Sequence, residues 1–199
     1  MADYDFSTLN SSDLEELVCD LLNLDQPVGS VIKYKTFKDG KDKGIDLLYS
    51  TEANVYDHVG QVKHYYRTGY DGLYQVLKNT ELKNVNSLKP NKYIVATSVD
   101  LNVANSVAIK NLFGSYVKNL NDIYGKKDLN RLIEENEGIL DSHYKLWLSD
   151  FSIFKKILGS ELEFRSSHFE EHELKRRLRI YIKTSIFNEA RIALKKINL

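Results

Sequence analysis

Cysteine and proline are scarce in this chain of 199 residues, and charge of one sign is not in excess. The single cysteine, Cys19, excludes an intrachain disulfide and a zinc site built on cysteines. The two prolines argue against long proline-rich linkers. The 28 basic residues balance 28 acidic ones, which excludes a polycationic coat for indiscriminate nucleic-acid binding but leaves binding through a local basic patch open.

Long hydrophobic runs are also missing. No window approaches the 18 uninterrupted apolar residues that indicate a transmembrane helix. The opening residues MADYDFSTLN are acidic and polar, whereas a secretory signal needs a basic stretch followed by an apolar one. Because a single cysteine also suits a reducing compartment, we expect a cytoplasmic protein without a membrane partner.

The remaining composition, 42% hydrophobic and 28% charged, is that of a globular protein with one main domain. Apolar periodicity predicts the order helix, three-strand meander, helix, strand, helix, which is an α/β fold. A capping box formed by Ser12 and Glu15 is expected to start the first helix. The predicted helices are 12–24, 71–84 and 103–119, and the predicted strands are 28–37, 45–51, 58–65 and 93–97.

Helical patterns follow one another from about residue 126 onward, separated by short polar breaks. They predict an all-helical C-terminal extension over 126–199, after a first domain over 1–125. The last pattern stops without a capping glycine or a polar tail, so we expect the natural chain to continue; a frayed natural terminus is the alternative. The predicted helices are 128–136, 143–148, 149–158, 167–184 and 185–197.

Three polar residues on neighbouring strands form the strongest chemical signal. Asp46 begins the second strand, and Gln61 and Lys63 lie two residues apart on the third. Side chains alternate along a strand, so Gln61 and Lys63 share one face, and a hairpin pairing would bring Asp46 beside them. Gly44, just before this aspartate, suits a turn that needs a positive φ.

A carboxylate, an amide oxygen and an ammonium group at one place suit phosphodiester hydrolysis. The carboxylate would hold Mg²⁺, which takes oxygen ligands and keeps several waters. Lys63 would orient a water or stabilise charge on the phosphate, and Gln61 would offer its amide oxygen to the metal or its water. The first helix supplies a candidate second carboxylate, Glu15, which lies closer to the apolar stripe than Glu16 does.

Three blocks stand out by their order and spacing: LEELVCDLL from residue 14, DKGIDL from residue 42 and QVKH from residue 61. Together they resemble the Mrr-like branch of the PD-(D/E)xK restriction endonucleases, the type IV restriction group. The resemblance covers about residues 6–120 and implies a restriction-endonuclease-like core with Glu15, Asp46, Gln61 and Lys63 in the active site. It implies that Glu15, Asp46 and Gln61 hold Mg²⁺, for which Mn²⁺ would substitute. Leu14 departs from the aromatic residue usual there.

The tail resembles the connector that joins such nuclease domains to STAND-type NTPases in prokaryotic conflict systems. It does so in DIYGKKDLNRLI from residue 122, HYKLWLS from residue 143 and FNEARIAL from residue 187. No phosphate-binding loop of the form GxxxxGK[ST] occurs, so this chain is not expected to hydrolyse ATP. It is either a nuclease segment preceding a STAND NTPase module in cis or a stand-alone relative. A homo-oligomer is expected because one such site cuts one strand.

Residues beside the predicted active site are candidates for contact with DNA. Lys41 and Lys43 belong to a lysine-rich turn that would follow the phosphate backbone, although a solvated face explains them equally well. Tyr65 and Arg67 follow the third strand, where they would contact the backbone or stack on a base. With thirteen tyrosines in the chain, chance placement is the alternative.

The sequence therefore predicts a Mg²⁺-dependent DNA endonuclease effector of antiphage defence. A different class, a non-catalytic DNA-binding or oligomerisation module that retains the nuclease fold, is the main alternative. A third is a structure-specific resolvase or RNA nuclease on the same fold.

Overall fold

The structure is a computed structural model that describes residues 3–37, 44–53 and 55–148. The chain divides into two compact units, Met1–Phe151 and Ser152–Leu199, and the predicted boundary after residue 125 falls inside the first unit. The predicted helices 149–158, 167–184 and 185–197 lie outside the described residues, as do Lys41 and Lys43.

The described part contains six α-helices and five strands. They are α1 (Ser11–Leu24), β1 (Lys35–Thr36), β2 (Leu47–Tyr49), β3 (His58–Lys63), α2 (Gly69–Val76), α3 (Leu82–Leu88), β4 (Lys92–Thr97), α4 (Val103–Phe113), β5 (Ile123–Tyr124), α5 (Lys126–Glu135) and α6 (Lys145–Leu148). A π-helical turn, Leu77–Glu81, joins α2 directly to α3. Within this part of the chain, no helix has the length and apolar character needed to cross a membrane.

All five strands form one mixed sheet in the order β1-β2-β3-β4-β5. The first three pair antiparallel, which confirms the predicted meander. β3 and β4 pair in parallel over their full lengths, and β5 continues the parallel half. A parallel connection needs a crossover, which α2, the π-helical turn and α3 provide. The predicted α/β class and element order are confirmed.

Two strand predictions need correction. β1 covers only Lys35–Thr36 of the predicted strand 28–37. Val28 and Val31 are largely exposed, so the alternation of apolar and polar residues in this segment does not correspond to a buried face. The short strand β5 was not predicted, and it pairs with Val95 and Ala96 of β4. A two-residue strand is too short to carry a periodic pattern, which explains why it escaped prediction.

The ends of the helices also differ from prediction. Asn10, not Ser12, caps α1: its side chain accepts from the Asp13 N–H (2.8 Å), and the Asp13 carboxylate accepts from the Asn10 N–H (3.0 Å). The predicted helix 103–119 ends at Phe113, because the chain turns at Gly114 with a positive φ of 57°.

The first segment of the predicted helical extension packs onto the α/β unit. α5 lies against α1, and the Asn130 side chain accepts from the Tyr4 N–H (3.3 Å). The Lys145 ammonium contacts both carboxylate oxygens of Asp13 at 2.7 Å, which ties α6 to the start of α1. Helical structure over the described part of the extension, 126–148, is thus present.

A hydrophobic core fills the space between the sheet and the helices α2, α3 and α4. Its centre is Tyr93 of β4, whose ring lies 4.8 Å from that of Phe113. The Tyr93 side chain is 1% exposed, and its hydroxyl has no hydrogen-bond partner among the described residues. The core members are Val59, Leu73, Leu77, Val85, Tyr93, Val95, Val99, Ile109, Phe113, Val117 and Ile123.

The unpaired hydroxyl leads to a stability prediction. A buried polar group without a partner costs about 1–3 kcal/mol, so Tyr93→Phe is expected to raise the free energy of unfolding by about 1 kcal/mol. Tyr34→Phe is the matched control, because the Tyr34 hydroxyl is hydrogen-bonded to His58 Nδ1 (2.9 Å), and its loss should lower stability by about 1 kcal/mol. Urea unfolding measures both, and a destabilised Tyr93→Phe protein would contradict the prediction.

Candidate active site

Asp46 joins the start of β2 to the middle of β3. Its backbone N–H donates to the Gly60 carbonyl (3.3 Å), which extends the ladder between the strands by one residue. Its side-chain Oδ2 accepts from the Val62 N–H (2.7 Å) and from Gln61 Nε2. The predicted approach of Asp46 to Gln61 is therefore confirmed. Oδ1 of Asp46 accepts no hydrogen bond from a described residue.

Gln61 is buried in the sheet with one polar atom unmatched. Its side chain is 1% exposed, and the bond from Nε2 to Asp46 fixes the orientation of the amide. Its Oε1 has no hydrogen-bond partner among the described residues. Since buried acceptors are almost always paired, this oxygen is the clearest sign in the described structure of a position that receives a ligand.

Lys63 lies on the same face of β3 as Gln61, where it meets a glutamate from the crossover. Its Nζ is 2.9 Å from Glu81 Oε1, and the Glu81 side chain is 4% exposed. Asn84 Nδ2 donates to the other carboxylate oxygen, Oε2, at 3.0 Å. The pair of contacts fixes the carboxylate, and through it the ammonium group of Lys63.

Glu81 was not among the predicted site residues, although the sequence contains a signal for it. Leu73, Leu77, Glu81 and Val85 follow one another at intervals of four residues. The three apolar members of this stripe are fully buried. On an α-helix, steps of four residues drift by about 40° each. The π-helical turn, in which the Leu82 N–H reaches the Leu77 carbonyl, widens one turn and keeps Glu81 in line. A charged residue inside an apolar stripe is the signal.

The pKa of the Asp46 carboxyl is shifted chiefly by its burial. Removal from water raises the pKa of this carboxyl to about 6, and the Glu81 charge adds to the rise. The Val62 N–H, the Lys63 ammonium and the Gln61 amide act in the opposite direction and lower it. At pH 7 the group is therefore ionised, but it takes up a proton more readily than an exposed aspartate does.

Gly44 confirms the predicted positive φ, at 73°, and leaves space beside the site. A Cβ at this position would lie 2.9 Å from Asn84 Nδ2, 3.2 Å from Glu81 Oε2 and 3.6 Å from Gln61 Oε1. Any side chain there would thus collide with the groups that surround the unmatched amide oxygen. Both the backbone conformation and the available space require glycine.

The donor set fits a hard divalent cation. Asp46 and Glu81 supply carboxylate oxygens, and Gln61 supplies the unmatched amide oxygen. Within the described ranges, no three His, Cys, Asp or Glu residues come together as a metal-binding group. Mg²⁺ does not require such a group, because it commonly takes one or two carboxylates and keeps several waters.

The described contacts do not place the other predicted site residues in this cluster. Glu15 is half-buried on α1, which packs against β3, and it has interactions of its own. Its role as a metal ligand stays a prediction. Among the residues proposed to contact DNA, Tyr65 is half-buried against the core. Arg67 is exposed, and its Nε donates to the Tyr66 hydroxyl (2.9 Å).

Comparison with known proteins finds a similar protein in Sinorhizobium fredii (strain NBRC 101917 / NGR234), described as "Uncharacterized protein y4cD". It is 30% identical to this chain over 156 residues, which is 78% of this chain and 23% of the relative. The chain thus spans less than a quarter of that protein's length. No family model matches the sequence, and no solved structure matches it.

The pKa of Asp46 predicts how its substitution changes stability with pH. Between pH 3.8 and about 6 the carboxyl is neutral when folded and ionised when unfolded, so its contribution to stability falls as the pH rises through this window. In the Asp46→Asn variant the side chain at this position carries no charge. At pH 7.5 the free energy of unfolding of the variant should therefore be higher than that of the native chain, by up to about 3 kcal/mol. The difference should shrink toward pH 4.

Asp57→Asn is the control, because the pKa of Asp57 is shifted in the opposite direction to that of Asp46. Asp57 accepts hydrogen bonds from the Thr51 N–H and hydroxyl (both 2.7 Å), and these hold its pKa below the ordinary value. Its substitution should therefore lower stability at neutral pH, and the loss should diminish in acid. Urea unfolding followed by circular dichroism from pH 4 to 8 measures both variants. An Asp46→Asn protein less stable than the native chain at pH 7.5 would overturn the prediction.

Proposed function

We propose that this chain is a metal-dependent nuclease domain that hydrolyses phosphodiester bonds of DNA, with Asp46, Gln61 and Lys63 at its active site. The observation that carries the proposal is the buried, unmatched Oε1 of Gln61 beside the Asp46 carboxylate. An ammonium group from the same strand face stands next to them. The resemblance to the Mrr-like endonucleases supports the same three residues.

The metal proposed here is Mg²⁺, for which Mn²⁺ would substitute. When bound, it supplies a Lewis acid that polarises a phosphoryl oxygen and lowers the pKa of a water. Asp46 and Gln61 would hold it through oxygen atoms, and Glu81 is the nearest further carboxylate of the cluster. These are the hard oxygen donors that Mg²⁺ prefers.

Each side chain has a distinct task in this proposal. Lys63 stabilises the negative charge that develops on the phosphate, a role for which a cation in a partly buried position is well suited. Glu81 holds the Lys63 ammonium at 2.9 Å, so the cation is already positioned when substrate arrives. The Val62 N–H and the Gln61 amide orient the Asp46 carboxylate before any ligand binds.

The wider setting is also a proposal. A single site of this kind cuts one strand, so cleavage of both strands of a duplex calls for a homo-oligomer. Location next to a STAND-type NTPase module in antiphage defence follows from the resemblance of the tail. The match covers 23% of the relative in Sinorhizobium fredii, which is compatible with a module inside a longer protein.

Plasmid cleavage tests the proposal directly. The full chain, incubated with supercoiled DNA and Mg²⁺ or Mn²⁺, should nick it, and EDTA should stop the reaction. Asp46→Ala and Lys63→Ala should each lower the rate by about 100-fold or more, since each removes a group that acts in the transition state. Lys78→Ala is the control for loss of a lysine, because Lys78 is exposed on the π-helical turn beside Glu81.

The outcomes separate the nuclease from its alternative. Equal cleavage by the native chain and both site variants would assign the activity to another site. An arm in which the chain is fused to an oligomerising coiled coil covers activation by assembly. Salt-sensitive DNA binding without cleavage, in this arm and with either metal, would favour the non-catalytic DNA-binding module.

A comparison of two glutamates tests which carboxylate completes the site. The resemblance supports Glu15, whereas the ion pair with Lys63 supports Glu81, which is buried beside that lysine. We expect Glu81→Gln to reduce both cleavage and the stabilisation by Mg²⁺ in thermal unfolding, and to do so more strongly than Glu15→Gln. Loss of the Mg²⁺-dependent shift in Glu15→Gln alone would return the role to Glu15. The thermal shift at saturating and zero Mg²⁺ separates metal binding from loss of the Lys63 partner.

A further inference from the structure

A cleft of about 440 Å³ opens where the parallel strands β3 and β4 end. Its walls come from the residues that follow β3, the residues that follow β4 and the N-terminal segment. In α/β sheets, ligands bind in crevices outside the carboxyl ends of parallel strands. Its lining includes Asp5, Tyr65, Tyr66, Asp100 and Lys126.

An aromatic ring at this cleft is held in place from two sides. Tyr66 is 40% exposed, and its ring centroid lies 4.7 Å from that of His64. His64 is itself fixed, because its ring nitrogens are hydrogen-bonded to Ser98 Oγ (2.8 Å) and to the Leu9 carbonyl (3.0 Å). Arg67 Nε donates to the Tyr66 hydroxyl (2.9 Å), and the Arg67 guanidinium carbon lies 5.3 Å from the centroid of the Tyr66 ring. A positioned, half-exposed ring of this kind is a stacking platform that loses little entropy on binding.

The charges of the cleft indicate what it accepts. Asp5 and Asp100 are both exposed in its lining, and no described residue donates a hydrogen bond to the Asp100 carboxylate. The cation of the lining, Lys126, is paired with Asp3 at 2.8 Å. Arg67 adds a cation at the Tyr66 ring, whereas the Asp100 carboxylate suits a hydrogen-bond donor rather than a phosphate. Carboxylates accept hydrogen bonds from the exocyclic amino group of a nucleobase.

We infer that the cleft binds an unpaired, amino-bearing nucleobase that stacks on Tyr66 and donates a hydrogen bond to Asp100. This inference rests on the proposed function. Tyr65 lines the cleft and lies two residues beyond Lys63 on the same chain segment, so the base would belong to the strand whose phosphate reaches the active site. A base within a duplex cannot enter such a cleft. The preferred substrate is thus a single-stranded or locally unpaired region.

Binding of short single strands tests this inference without any cleavage. The full chain is titrated, in EDTA, into fluorescein-labelled oligodeoxycytidine and oligodeoxyuridine of equal length, which differ at the 4-amino group. The cytidine strand should bind more tightly, by about fivefold or more. Tyr66→Ala should weaken its binding by about 5- to 150-fold, the range for one base stacked on an aromatic ring.

Conservative and distant variants serve as controls. Tyr66→Phe keeps the ring and should retain affinity within about threefold. Tyr144→Ala removes another exposed tyrosine outside the cleft lining and should leave binding unchanged. Asp100→Ala should abolish the preference for cytidine over uridine, whereas Asp141→Ala, which removes an exposed carboxylate elsewhere, should preserve it.

The outcomes distinguish this inference from the nuclease proposal. Equal affinity for the two strands, together with unchanged binding by Tyr66→Ala, overturns the base cleft and leaves the cleavage results as they stand. Free deoxycytidine monophosphate is a separate arm: if it binds as tightly as the strand does, the cleft serves a free nucleotide, and the strand-based inference is wrong. Loss of cleavage in the plasmid assay bears only on the active site.

Discussion

The hydrogen bonds to one oxygen of Asp46 are the constraint on which the site depends. Oδ2 accepts from the backbone of β3 and from the Gln61 side chain, so one buried carboxylate fixes the start of β2 against β3 and also orients the amide. β3 is held on its other edge by six parallel pairs with β4. The carboxylate is thus positioned by the most extensively paired strand of the described sheet, and small movements at the surface would not displace it.

The ion pair between Lys63 and Glu81 is the second constraint on the site. A leucine at position 81 would continue the apolar stripe of Leu77 and Val85, and a buried ion pair is seldom more stabilising than such packing. Fold stability alone therefore does not explain the pair. Its effect is to place an ammonium group at a fixed position beside Gln61, at the cost of a π-helical turn, a feature found frequently at functional sites.

The approach of Asp46 to Gln61 could be predicted from sequence because it needs only the two-residue period of a strand and one hairpin pairing. The positive φ of Gly44 was predictable for the same local reason. The apolar stripe around Glu81 signals its burial, but its position beside Lys63 depends on a π-helical turn, which periodicity does not reveal. Several polar residues precede the apolar stripe of α1, and the cap is Asn10, not the predicted Ser12, because Asn10 forms the capping box with Asp13.

The charges of the cluster link these constraints to the proposed chemistry. With Asp46 ionised, two carboxylates face one ammonium group, so a negative charge remains in a mostly buried place. A proton relieves this excess below about pH 6, where the Asp46 carboxyl is protonated because its burial raises the pKa and the Glu81 charge adds to the rise. A divalent cation would relieve it at neutral pH and would add the positive charge that the protein itself does not supply. The burial that makes the Asp46 charge costly to the folded state would also strengthen its attraction for a metal ion, so the cost in stability and the proposed activity have one physical origin.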